Sequence, residues 1–157
     1  EMLRPFSDLI LASLDVNQVA TYVGGAGEYV LMKHYGWLKN GDIGNESGYD
    51  ATDKEGSKYE IKSMSYETKT PYVAYKHAVK ADKYDYLSII HFNEKRVAHI
   101  PKEEINKFIK DNTLPGRKTK SLRLCFSDPI LTGLGKPRKK SLFLSLFLKY
   151  EDKQFTF

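Results

Sequence analysis

The chain has 157 residues, 41% of them apolar and 29% charged, which fits one domain around one core. No apolar run approaches the roughly 20 residues needed to cross a bilayer, so no membrane partner is expected. A single cysteine, Cys125, leaves neither an internal disulfide nor a cysteine cluster for zinc, and it points to a reducing, cytoplasmic setting. The opening stretch "EMLRPFSDLILASLD" carries an acid and a broken apolar run, a poor match to a signal peptide.

The formal net charge of +5 suits a polyanionic partner, and its distribution is uneven. Between Pro115 and Lys140 stand Arg117, Lys118, Lys120, Arg123, Lys136, Arg138, Lys139 and Lys140 against one acid, Asp128. Such density lowers the cost of approaching a phosphate backbone, although a solvated lysine-rich loop would have the same composition.

Residues 6–38 read as helical. Ser7 can cap the start, Gly24 and Gly25 interrupt the pattern, and a second helix runs through "AGEYVLMKHYGWL" to end near Gly36. "VGGAGE" has no convincing strand before it, so it reads as a helix boundary or close-packing site rather than a phosphate cradle. "NGDIGNESG" (40–48) is dense in turn formers. Two strand-like runs then flank a turn in "SGYDATDKEGSKYEIKS" (47–63).

"ETKTP" reads as loop and "YVAYKHAVKADKY" as helix. "YDYLSIIHF" (84–92) reads as a buried strand, turning at Asn93-Glu94-Lys95 into "RVAHI". Pro101 is expected to open a helix with acids in its first turn and Ile105, Phe108 and Ile109 on one face. "SLRLCF" and "SLFLSLFLKY" read as strands. The order predicts an α/β (α+β) domain with a mixed central β-sheet flanked by helices. His34, His77, His91 and His99 fall in separate elements without zinc spacing.

The hairpin carries the chemistry. Lys54-Glu55-Gly56 fits a three-residue loop whose last residue takes a positive φ, which glycine does cheaply. Asp53 then faces Ser57, and counting back puts Asp50 opposite Glu60, with Lys62 on the same face. Tyr59, Ile61 and Ser63 point the other way. A two-residue loop would instead pair Asp50 with Tyr59. Carboxylates on adjacent strands, helped by the Ile61 carbonyl, suit a hard cation such as Mg²⁺. Bound there, such an ion would polarise a phosphodiester and acidify a water, with Lys62 beside it as a compact positive charge. The alternative is a solvated sheet face bearing cross-strand ion pairs.

Asp50, a short turn, then Glu60-Ile61-Lys62 after an acid-bearing helix resembles the PD-(D/E)XK nuclease superfamily. The resemblance covers about residues 24–100, and Tyr49 stands where the family pattern has proline. It implies a restriction-endonuclease-like core, with Asp50 and Glu60 as metal-binding acids, Lys62 as the catalytic lysine and Glu28 as the helix glutamate. Leu31, Met32 and Tyr35 share a helical face with Glu28, so an acid there must reach the rim or find a partner. A first-turn glutamate complementing the helix dipole is the other account of it.

The resemblance further implies a Mg²⁺-dependent DNA endonuclease, with Mn²⁺ as a substitute, acting on double-stranded DNA as a homodimer. A type II restriction enzyme is the first expectation. A junction resolvase or homing endonuclease would share the fold, and a non-catalytic nucleic-acid-binding module is the remaining class. The expected DNA contacts are Ser63, Ser65, Lys69 and Lys76 beyond the catalytic strand, with Arg117, Lys118, Lys120, Lys136 and Arg138 clamping the backbone. The chain is taken as one nuclease domain over 1–157, with a basic elaboration from about 113.

Overall fold

The computed structural model describes residues 16–40, 48–64, 72–75, 83–112, 122–125 and 142–156. Along the chain come α1 (Val16–Tyr35), β1 (Leu38–Lys39), β2 (Ala51–Thr52), β3 (Lys58–Met64) and β4 (Tyr72–Tyr75). They are followed by β5 (Tyr86–His91), β6 (Arg96–Pro101), α2 (Lys102–Asn112), β7 (Leu122–Cys125) and α3 (Leu142–Lys149). The central sheet has the order β1-β2-β3-β5-β6, and β4 pairs with β7 in a second, two-stranded sheet. Only β3 and β5 run parallel; the other pairs are antiparallel. This is the expected mixed α/β class, a mixed central sheet with helices against it.

Strand β5 explains the two layers. Its alternating side chains are buried on both faces, which is why its sequence is almost continuously apolar. Leu87 and Ile89 join Met64 and Ile100 under Ile105 and Phe108 of α2 and Phe143 and Phe147 of α3. Ile90 joins Ile61 and Val97 beneath Leu31 of α1, with Trp37 and Phe155 closing that side. The open edge of β6 is covered by the C-terminal segment. Asp152 N donates to Val97 O at 2.9 Å, and Arg96 grips Glu151 through two bonds of 2.6 and 3.0 Å. Among the described residues, no helix is long and apolar enough to cross a membrane.

Four expectations change. Helix α1 runs unbroken through Gly24 and Gly25. Each glycine costs a helix only about 1 kcal/mol, which burial of the Leu31 face outweighs. The helix does stop at Gly36, whose φ of +68° ends it as expected. Tyr72–Tyr75 is a strand rather than the start of a helix, because β7 supplies its hydrogen-bond partners. Leu142–Lys149 is a helix rather than a strand, since Phe143 and Phe147 lie four apart in one buried stripe. Pro101 closes β6, and α2 starts one residue later, with Lys102 N donating to Asp85 O at 2.9 Å.

Candidate active site

The hairpin between β2 and β3 has the three-residue geometry. Gly56 takes φ +85°, its amide donates to Asp53 O at 3.1 Å, and Asp53 N donates to Ser57 O at 3.1 Å. The Asp53 carboxylate steadies the turn by accepting from the amides of Glu55 and Ser57 at 3.0 and 2.9 Å. Ala51 then faces Tyr59 and Thr52 faces Lys58, the register expected of a three-residue loop.

Asp50 stands one residue outside β2 and is what ends that strand. Its amide donates to Tyr59 O at 2.8 Å. Its carboxylate Oδ2 accepts from Ile61 N at 2.7 Å, a donor that a longer β2 would have bonded through its main chain. Because the N–H and C=O of one strand residue point to the same neighbour, the Ile61 carbonyl opens on the Asp50 side as well. Glu60 lies next in β3, only 6% exposed, and Lys62 Nζ donates to its Oε1 at 2.6 Å. The Lys62 side chain is 34% exposed, so the ammonium sits between the buried acid and solvent. A solvated sheet face would leave Glu60 open to water; here it is covered.

Glu28 approaches from α1. Next to it, Gly27 lets the helix lie so close to β3 that a Cβ there would fall 1.9 Å from Ser63 Oγ. Burial pushes the Glu28 carboxyl up from its ordinary range, the Asp50 charge pushes it further, Lys39 and Lys62 oppose, and Glu60 adds to the rise. The Glu28 carboxylate makes no hydrogen bond or ion pair with another described residue. Glu28, Asp50, Glu60 and Lys62 therefore share one electrostatic neighbourhood.

No family model and no curated protein matches the chain. Among solved structures it is similar to a bacterial homing endonuclease (I-Ssp6803I) at 16% identity and a TM-score of 0.47, over 83% of this chain and 87% of that one. The likeness is distant.

Asp50, Glu60 and the Ile61 carbonyl offer hard oxygen donors of the kind a divalent ion takes. Among the described residues, no group of three or more His, Cys, Asp or Glu side chains is gathered closely enough to hold a metal. A cation held by one or two carboxylates and waters needs no such cage. Asp50, Glu60 and the Ile61 carbonyl are the oxygens that could hold it.

The remaining expected contacts fare differently. Ser63, expected to face DNA, lies on the α1 side with its Oγ buried and unpartnered among the described residues, because α1 packs directly on it at Gly27. Ser65, Lys69, Lys76, Arg117, Lys118, Lys120, Lys136 and Arg138 lie outside the described residues. One residue escaped sequence reasoning. Lys39, on β1, pairs with Ala51 and influences Glu28 more than Lys62 does. Its only sequence signal was a lone lysine before a turn.

Proposed function

We propose that the chain is a Mg²⁺-dependent DNA endonuclease that hydrolyses phosphodiester bonds at a specific sequence. The observation that supports it most is that the hairpin's Asp50, bonded to Ile61 N, and its Glu60–Lys62 pair act electrostatically on Glu28 of a separate helix. A pure nucleic-acid binder gains nothing from carboxylates facing phosphates.

In this reading Asp50, Glu60 and the Ile61 carbonyl would hold the ion. The chemistry a bound divalent ion supplies is polarisation of the scissile phosphate and acidification of a water. Lys62, anchored by Glu60 at 2.6 Å, offers a fixed ammonium to the charge that builds on the phosphorane as water attacks. Glu28 keeps an acidic group at the rim whose proton is held more tightly than usual. Cleavage of both strands calls for two such sites, so the active form is taken to be a homodimer on double-stranded DNA. Restriction and homing enzymes share this chemistry and differ in the length of DNA they recognise; either setting is compatible with these residues.

The test is nicking of supercoiled plasmid and of a duplex library with Mg²⁺ or Mn²⁺. The wild-type chain should cut, and Asp50→Asn should lose at least about 10²-fold in rate. Asparagine can keep the hydrogen bond from Ile61, so a folded but inactive variant is the expected outcome. No cutting by the wild type across divalent ions and substrates, with DNA binding retained, would favour the binding module instead.

A further inference from the structure

Lys62 is committed to Glu60, yet a phosphate entering this corner needs a cation that is free to meet it. Among the described residues, the other ammonium that acts on Glu28 belongs to Lys39. Strand β1 is an edge of the central sheet, and its pairing sets Lys39 directly opposite Ala51, one residue from Asp50. Partners in an antiparallel pair point to the same side, and Ala51 points into the α1 cluster. Lys39 therefore rises on the side of the sheet from which Glu28 approaches. Glu60 and Lys62 alternate with Ile61, which lies in that cluster, and so belong to the opposite face. The local frame is firm. Asn40 N donates to Asp50 O at 2.9 Å and its Nδ2 donates to Tyr49 O at 3.1 Å, tying the end of β1 to the residue that begins the site.

The Lys39 ammonium is exposed and has no ion pair with another described residue. Lysine is a compact, mobile point charge suited to a phosphate that need not be gripped in a plane.

We infer that Lys39 is a phosphate-binding residue of this site, taking a backbone phosphate of the DNA strand from the α1 side while Lys62 faces the scissile one from the other. The inference rests on the endonuclease reading for its ligand. It adds a residue outside the set that the resemblance supplies.

The experiment measures duplex DNA binding without divalent ion across a salt series, for wild type, Lys39→Ala, Lys39→Arg and a distant control, Lys110→Ala on α2. Loss of one phosphate contact should lower the slope of log K against log salt by about 0.9. Lys39→Ala is expected to show that loss, while Lys39→Arg and Lys110→Ala keep the wild-type slope. Where cleavage is measurable, Lys39→Ala should raise KM several-fold more than it lowers kcat. An unchanged slope in Lys39→Ala, or an equal fall in Lys110→Ala, overturns the assignment while leaving the endonuclease reading standing. A changed slope in a protein that cuts nothing keeps Lys39 and removes the endonuclease. Failure of the wild type to bind DNA at all removes both.

Discussion

Gly27→Ala probes whether α1 owes its distance from β3, and with it the position of Glu28, to one missing side chain. A methyl group at residue 27 would lie 1.9 Å from Ser63 Oγ, 3.0 Å from Ile90 Cγ2 and 3.2 Å from Ser63 Cβ. The hydroxyl can swing aside. The other two contacts belong to packed strand side chains, so the helix must yield by a few tenths of an ångström. Overpacking of this kind costs about 1–3 kcal/mol, against about 1 kcal/mol gained from the better helix propensity of alanine.

The expected net loss is about 0–2 kcal/mol. Ser63→Gly removes two of the three contacts, so Gly27→Ala made in that background should be neutral or stabilising. Urea unfolding of the four proteins closes a double-mutant cycle, and the coupling should reach about 1–2 kcal/mol, well beyond the ~0.3–0.5 kcal/mol of independent sites. Additivity within that margin would refute the packing of α1 on Ser63 and the account of how Glu28 is delivered.

Two further outcomes concern pH. Burial and then the Asp50 charge raise the Glu28 carboxyl, so the folded chain keeps that proton to higher pH than the unfolded one, and stability is lost as pH rises from the ordinary value of 4.5 through the raised one. Glu28→Gln should therefore melt at a higher temperature than wild type at pH 7 without divalent ions, with the gap closing near pH 4, while cleavage falls; a lower melting temperature at pH 7 would contradict this. His99 moves the opposite way: burial holds its imidazole down at about 4, Asp152 opposes and His34 adds to the depression. Between pH 6.5 and 4 the unfolded chain binds a proton that the folded chain refuses, so stability should fall by up to ~3 kcal/mol as pH drops through that window. His99→Gln keeps a partner for Ser88 Oγ, which lies 2.8 Å from His99 Nδ1, and should flatten the profile in urea titrations from pH 7 to pH 4.5.

What the sequence alone determined is local. Gly56 sets the loop length, loop length sets the register, and the two-residue period of β3 sends Glu60 and Lys62 to one face while Ile61 goes to the other. Each step spans a few residues and is governed by backbone sterics, so it was legible without a partner element. Tertiary structure decided the rest. "SLFLSLFLKY" carries enough apolar residues for either a strand or a helix, and α2 with the sheet above it selected the helix that buries Phe143 and Phe147. Tyr72–Tyr75 became a strand because β7 offered its edge some fifty residues later.

The acid on α1 could be counted onto an apolar face, but only the approach of Gly27 to Ser63 brings it near Asp50, and only the β1–β2 pairing brings Lys39. Chain-distant charges meet through packing, which depends on the shapes of both surfaces. A single sequence states those shapes one residue at a time and leaves their fit to the fold.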